Sequence, residues 1–180
     1  MTTPLGGLVE QLLTVALAGG EVERELGRLL RSHPELTGAE RALVSLQALG
    51  ATCQLGTLRF RLQQAGLPAT PEQVRRLQTG ELSLPEPVWP TDPSERLAAE
   101  RSLPGWLARL WVSELGADVA DGLAKACNQP GPTTLRVNEA KATRDEAAQR
   151  LAKEGIATRP GRLSRLALQV NPPAPRTGGP

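Results

Sequence analysis

The sequence predicts an α+β protein that is mostly α-helical, with an N-terminal helical bundle followed by a small α/β module. Three observations lead to this fold class. Apolar residues recur at helical spacing through the first 80 residues. The second half contains segments in which apolar and polar residues alternate and β-branched residues occur. Aromatic residues make up only 2% of the chain, so any core must be built from aliphatic side chains, which suits helices.

The first two helices follow from apolar spacing and from their stop signals. The face of the first is predicted to carry Leu5, Leu8, Val9, Leu12, Leu13 and Ala16, and that of the second Val22, Leu26, Leu29 and Leu30. The Gly19-Gly20 pair ends the first helix. The segment His33-Pro34 ends the second, because the residue before a proline disfavours helical geometry.

Capping signals begin the other predicted helices. The segments Thr37–Glu40 and Thr143–Glu146 are capping boxes, in which a Thr hydroxyl and a Glu carboxylate satisfy amides at the start of the helix. The dipeptides Thr70-Pro71 and Asp92-Pro93 each place an N-cap before a proline in the first helical position. The helix that begins after Thr37 has an apolar pattern that allows it to continue past Gly50.

The second half mixes helices with strands. A helix from Pro104 to Leu115 is predicted to turn Trp106, Leu107, Leu110 and Trp111 to one side, with both tryptophans in the core. The next helix is predicted on Val119, Leu123 and Ala126. The predicted strands are Thr133–Asn138, Ile156–Arg159 and Leu163–Val170.

A proline-rich segment divides the two halves. Residues 81–93 hold four prolines and little periodicity, so a linker and a domain boundary are predicted there. The predicted organisation is then a helical region at 1–80, the linker, an α/β module at 94–170, and a disordered Pro/Gly-rich tail at 171–180.

Charge is distributed unevenly along the chain. Residues 1–100 hold nine Lys/Arg and twelve Asp/Glu, whereas residues 101–180 hold twelve and seven. The second half therefore has a net charge of +5, which fits a polyanionic partner. The same balance also fits an ordinary soluble domain, and only clustering on one face would distinguish the two.

The sequence shows no pattern typical of catalysis, metal binding or a bound cofactor. His33 is the only histidine and is interpreted as a surface or capping residue, so a Ser/His or Cys/His pair is not expected. Cys53 and Cys127 form neither a metal motif nor a disulfide framework, and we interpret both as small buried hydrophobes. No Gly-rich strand-to-helix loop is found. A reduced, cytoplasmic setting without a membrane segment is predicted.

The candidate binding residues are cations near the predicted sheet. They are Arg136, Lys141, Arg144, Arg159, Arg162 and Arg165, with Asn138 as a polar neighbour. Arginine grips phosphate with a bidentate fork. With few aromatic residues available for base stacking, RNA binding here would rely on phosphate contacts and hydrogen bonds. Ordinary solvated charge is the alternative interpretation.

An ordered set of residues resembles the N-terminal extension of the RsmB/Fmu/NOP family, which methylates carbon 5 of cytosine in ribosomal RNA. The set comprises Pro104, Trp106-Leu107, Asn128, Pro130, Pro132, Leu135-Arg136-Val137-Asn138, Lys141 and Glu154-Gly155-Ile156. The resemblance covers about residues 102–170. It implies a small α/β module, similar to an RNA-recognition fold, that helps to position ribosomal RNA.

The first 80 residues are similar to the NusB-type helical domain of the same family. The residues that support this are Leu36-Thr37, Glu40-Arg41-Ala42-Leu43-Val44, Gly50 and Leu58-Arg59. The region is shorter than the family's domain, because the proline-rich segment arrives early. A short bundle buries little apolar area against its chain entropy.

The resemblance implies a non-catalytic, RNA-binding N-terminal portion of an S-adenosylmethionine-dependent ribosomal RNA methyltransferase. The family's methyl donor and its nucleophilic cysteine belong to a catalytic domain that these 180 residues do not contain. The chain is therefore expected to hold no cofactor and to be inactive alone. Its expected partners are small-subunit ribosomal RNA and a protein that carries the catalytic domain. The alternatives are one half of a split methyltransferase, or a NusB-like adaptor for protein interaction or antitermination.

Overall fold

The computed structural model describes residues 5–129 and 131–171, and these form nine helices and three strands. The helices are α1 (Leu5–Leu17), α2 (Val22–Ser32), α3 (Gly38–Cys53), α4 (Leu55–Gln64), α5 (Pro71–Thr79), α6 (Pro93–Arg101), α7 (Gly105–Leu115), α8 (Ala117–Cys127) and α9 (Arg144–Lys153). The strands are β1 (Thr134–Arg136), β2 (Thr158–Pro160) and β3 (Ala167–Val170). The predicted α+β class, mostly helical, is confirmed.

The chain divides into two compact units. Met1–Asn128 is helical where the structure describes it, and Gln129–Pro180 contains the sheet and α9. The predicted disordered tail falls almost wholly on residues 172–180, which lie outside the described residues, as does Pro130. Within the described ranges, no helix combines the length and the apolar composition needed to cross a membrane.

Helix α1 lies at the centre of the helical unit. Leu8, Val9, Leu12 and Leu13 have no exposed surface, and the helix packs against α2, α3 and α5. These residues belong to the apolar face predicted from spacing. The rest of this core is aliphatic as well, with Val44, Ala48, Ala51, Leu58, Leu62 and Val74 among its most buried members. Leucine packing thus replaces the aromatic residues that the composition lacks.

Both predicted capping boxes are confirmed, at Thr37 and at Thr143. At the first box, the Thr37 amide donates to Glu40 Oε2 at 2.8 Å, and the Glu40 amide donates to Thr37 Oγ1 at 3.3 Å. The next residue, Arg41, donates to the carbonyls of Leu30 and His33, both at 2.7 Å. The guanidinium therefore satisfies orphan acceptors where α2 ends, and it fixes the turn between α2 and α3.

The proline-rich segment is irregular until α6 begins at Pro93. It is nevertheless packed, because Leu82 and Leu84 lie against the helical core and the Trp89 ring stacks on Phe60 at 5.3 Å. Helix α6 also packs on α4. These contacts group α6–α8 with the N-terminal helices, whereas the sequence prediction placed them with the sheet. The predicted limits of the domains stay a prediction.

Helices α6–α8 pack through small residues. Ala108, Ala120 and Ala124 are fully buried beside Leu97. Trp106, by contrast, is 63% exposed, so its predicted place in the core is wrong. The alanines permit close approach of the helices, and this orientation turns the larger side chains outward.

The packing of α7 and α8 through alanines also determines how exposed the other apolar residues of these helices are. Trp111 is partly buried and packs against the alanine cluster, so only one of the two tryptophans contributes to a core. The helix predicted on Val119, Leu123 and Ala126 is present as α8, but Val119 and Leu123 are exposed by 59% and 39%. Its buried positions are Ala120 and Ala124, one residue further along the helix in each case.

The three strands form an antiparallel sheet in the order β1-β3-β2. Leu168 in the central strand is only 2% exposed and is the most buried side chain of this unit. The strands are shorter than predicted, since residues 163–166 form a loop closed by the Gly161 amide on the Ala167 carbonyl at 2.8 Å. A Cβ at Gly161 would come within 2.4 Å of the Ala167 Cβ, so this tight turn requires glycine.

The burial of α1 generates a first testable prediction. Replacing Leu12 with Ala should lower the free energy of unfolding by about 2–5 kcal/mol, because the change leaves a cavity in a packed core. The same change at Leu46, which is 72% exposed on α3, should cost less than about 0.5 kcal/mol. Urea denaturation followed by circular dichroism measures both; equal losses would show that α1 is not the centre of the core.

A second prediction concerns Asp121 on α8. Its carboxylate accepts from Arg101 Nε at 2.7 Å and pairs with Lys125 at 2.6 Å. The Arg101 hydrogen bond, followed by that of Lys125, lowers the pKa of Asp121. Since the folded pKa lies below the unfolded value of about 3.9, the stabilisation is complete above that value and is lost as the pH falls through the folded pKa.

Replacing Asp121 with Asn should therefore destabilise the protein at pH 7. The difference from the parent protein should shrink progressively below about pH 4, where the carboxylate of the parent becomes protonated. Urea unfolding across this pH range measures it. A difference that stays constant down to acid pH would contradict the proposed role of the charge.

Candidate nucleic-acid interface

The sheet has one face that α9 covers and one that it leaves open. Leu135 pairs with Leu168, and Pro160 pairs with the same residue from the other side, so these three share a face. Leu168 and the α9 residues Ala147 and Leu151 line one groove, which identifies this as the covered face. Side chains alternate between the two faces of a strand. The strand residues next to Leu135, Leu168 and Pro160 therefore belong to the opposite, open face.

Two of the predicted binding residues lie on this open face. Arg136 is opposite Ala167, and Arg159 is opposite Gln169, whose side-chain oxygen accepts from Arg159 Nε at 2.8 Å. Because β3 lies between their strands, the two arginines are separated laterally by about 9–10 Å. None of the three strands contains an Asp or a Glu. The strand residues of this face thus carry positive charge only.

The other predicted residues lie at one end of the sheet. The turn after β1 and the loop between β2 and β3 meet there, as the Val137 amide donates to the Leu166 carbonyl at 2.9 Å. The turn and the start of α9 carry Asn138, Lys141 and Arg144, and the loop carries Arg162 and Arg165. The structure therefore brings the predicted residues to one open face and one adjoining edge, although they span 30 positions of the sequence.

Asn138 has a structural task at this edge. Its Oδ1 accepts from the Ala140 amide at 3.1 Å, and its carbonyl accepts from the amides of Lys141 and Ala142. This is an Asx-type turn, in which a short polar side chain stands in for backbone. Asn138 thereby holds the turn that carries Lys141, and its Oδ1 is already engaged.

The cations of this unit differ in their partners. Arg165 pairs with Glu139 at 3.2 Å, and Arg144 lies 3.9 Å from Asp145. Within the described part of this unit, the other cations, among them Arg136 and Lys141, form no ion pair. The unpaired cations of the described part are therefore spread over β1, the turn after it, α9, β2 and the loop between β2 and β3.

A residue that sequence reasoning missed, Arg150, joins the unpaired cations. It lies on α9 three residues after Ala147 and one before Leu151, and all three line a groove together with Leu135 and Leu168. The available signal was the helical spacing of Ala147, Arg150 and Leu151, which places them on one face. Arg150 was not selected because it falls inside the predicted helix, away from the predicted strands and the residues beside them.

Residues suited to metal or covalent chemistry are not gathered at this interface. Over residues 5–129 and 131–171, no group of three or more His, Cys, Asp and Glu side chains is placed to hold a metal ion. Cys53 and Cys127 are free and exposed, so the expectation that both are buried was wrong. Each lies at the last position of its helix, α3 or α8, where the side chain meets solvent.

Comparison with known proteins gives two matches. Residues 103–177 match the family described as "Methyltr_RsmF/B-like, ferredoxin-like domain". Over these residues the chain is similar to the ferredoxin-like domain of the RsmF/B-like methyltransferases. It is also 38% identical over 79 residues to the "Probable ribosomal RNA small subunit methyltransferase B" of Bacillus subtilis (strain 168). That alignment covers 44% of the chain and 18% of the relative.

These matches confirm the predicted relationship to the RsmB/Fmu/NOP family. The matched region begins close to α7 and extends through the sheet unit, so it includes all seven of the predicted binding residues. The chain corresponds to less than a fifth of the length of the relative. The resemblance of residues 1–80 to a NusB-type domain stays a prediction.

The turn at Asn138 generates a third testable prediction. Replacing Asn138 with Ala should remove the acceptor for the Ala140 amide and weaken the turn by about 1 kcal/mol, whereas Asn138→Asp keeps an oxygen at that position. Hydrogen exchange followed by NMR should show lost protection at the Ala140 amide in the first variant only. Equal protection in both variants would show that the side chain does not hold the turn.

Proposed function

We propose that the sheet unit binds ribosomal RNA and positions it for methylation by a catalytic domain, without taking part in the chemistry. The family domain and the small-subunit ribosomal RNA methyltransferase relative support this proposal. The roles proposed for the basic residues are phosphate contacts by Arg136, Lys141, Arg144, Arg159 and Arg162, with Asn138 holding the turn between them.

The open sheet face is the observation that carries the proposal. It presents Arg136 and Arg159 on one surface without a carboxylate on any of the three strands. A nucleic-acid backbone gains affinity when cations replace its condensed counterions. Two arginines on neighbouring rows of one face can contact phosphates of the same strand, and their planar forks suit phosphate oxygens.

Single-stranded or looped RNA is the form that this surface favours. Side chains do not reach the bases in the narrow major groove of an RNA duplex, so sequence-specific proteins bind unpaired segments. The open face has only three short strands and no aromatic residue. We therefore propose that it holds the backbone of an unpaired segment by charge and leaves the bases accessible to the catalytic domain.

A double variant tests the proposal. Changing Arg136 and Arg159 to Ala should weaken binding to small-subunit ribosomal RNA fragments, and the slope of log K against log salt should fall in magnitude by about 1.4, since each lost contact with a single strand is worth about 0.7. Fluorescence anisotropy at several salt concentrations measures both quantities.

Lys153→Ala is the matched control for charge. Lys153 is exposed on the last turn of α9, away from the open face, and losing it removes one positive charge from the same unit. Its effect on the salt slope should be small. Unchanged affinity and slope in the double variant, or an equal loss in the control, would show that the open face is not the RNA surface.

A methyl-transfer assay addresses the positioning role separately. The chain alone should transfer no methyl group from S-adenosylmethionine to RNA, because the proposal assigns it no catalytic residue. Transfer by the isolated chain would contradict the proposal directly.

A further inference from the structure

The covered face of the sheet contains a groove whose apolar lining takes no part in the proposed phosphate contacts. Its volume is about 280 Å³, and it lies between β1 and α9. Leu135, Val137 and Leu168 line it from the sheet, and Ala147 and Leu151 line it from the helix. The groove is slightly smaller than the pockets of about 300–1,000 Å³ that take drug-sized ligands, so it has room for one flat group and no more.

The groove remains accessible to solvent along β1. Leu135 is 38% exposed although it occupies the covered face, because β1 is an outer strand of the sheet. Leu135 is therefore much less buried than Leu168, which is 2% exposed in the central strand. A flat apolar surface laid against Leu135 would recover part of that free energy, at roughly 25 cal/mol for each Å² covered.

Three exposed cations surround the groove. Arg136, Lys141 and Arg150 all contribute to its lining, and no Asp or Glu does so. None of the three forms an ion pair with a described residue of this unit, in which the carboxylates of Glu139 and Asp145 are paired with other arginines.

A carboxylate of α9 close to Arg150 in the sequence is also engaged. Glu146 lies one turn before Arg150, and its Oε2 accepts from the Thr143 amide at 2.8 Å and from the Thr143 hydroxyl at 3.0 Å. The charge around the groove is therefore available to an anionic ligand.

We infer that this groove holds one unpaired RNA base, with Lys141 and Arg150 contacting the phosphates on either side of it. A nucleotide combines a flat, weakly polar base with flanking negative charge, which matches an apolar groove surrounded by unpaired cations. The inference rests on the proposed function and adds to it, because the open face contacts only backbone. A strand that crosses the β1 edge would meet both surfaces.

Filling the groove tests the inference without changing charge. Ala147 is half-buried in the lining, so Ala147→Phe should occupy the space of the base and weaken binding of a short single-stranded oligoribonucleotide by about tenfold. The salt slope should stay unchanged, because no phosphate contact is lost. Ala152→Phe, at an exposed position of the same helix outside the groove, should bind as the parent chain does.

A measurement on the parent chain does not depend on the folding of a variant. With the same oligoribonucleotide bound, NMR should show nuclear Overhauser contacts between base protons and the methyl groups of Leu135 and Leu151. If RNA binds with a normal salt slope but those contacts are missing and Ala147→Phe binds equally well, the groove inference is wrong and the proposed function stands. If the parent chain binds no RNA, the proposed function itself fails.

Discussion

Strand β3 pairs with both β1 and β2, and the arrangement of the basic residues in the sheet unit depends on that double pairing. Side chains alternate along a strand, so a slip of one residue would turn Arg136 and Arg159 toward α9 and Leu135 toward the open face. The paired Leu135 and Leu168 oppose such a slip, because both lie on the face toward the helix and a shifted register would turn one of them to the open face. This leucine pair thus determines which face of the sheet is positively charged.

The helical unit has few aromatic residues, and its helices pack in two different ways, one through large aliphatic side chains and one through alanines. Around α1, leucines and valines fill the space, and seven of them have no exposed surface. In α6–α8 the contact is made by Ala108, Ala120 and Ala124 together with Leu97, and Trp111 packs against this cluster from its edge. Close approach through small side chains gains dispersion between backbones but buries little area for each residue. Trp106 is exposed for this reason.

Helix ends were predictable from the sequence, and helix orientation was not. The capping chemistry of Thr37, Asp92 and Thr143 is local, so four residues suffice to predict it, and Gly80 and Gly155 end their helices with positive φ as glycine allows. The face that α7 buries depends on its neighbours, which the sequence of α7 does not reveal. For the same reason, the common face of Arg136 and Arg159 depends on a register set by contacts about 30 residues apart. Arg150 was missed because its groove exists only after α9 has packed on β2 and β3.

Ion pairing divides the cations of the sheet unit into two groups with different capacities for RNA. A phosphate that approaches Arg165 must either displace the Glu139 carboxylate or bind beside that negative charge. Both alternatives reduce the binding free energy of the contact. Lys141 lies two residues from Glu139, but Arg165 already engages that carboxylate, so the lysine is left for a ligand. The Glu139–Arg165 pair therefore acts in favour of RNA binding although it removes one cation from the surface. It neutralises the carboxylate that would otherwise repel phosphate at the edge where the turn and the loop meet.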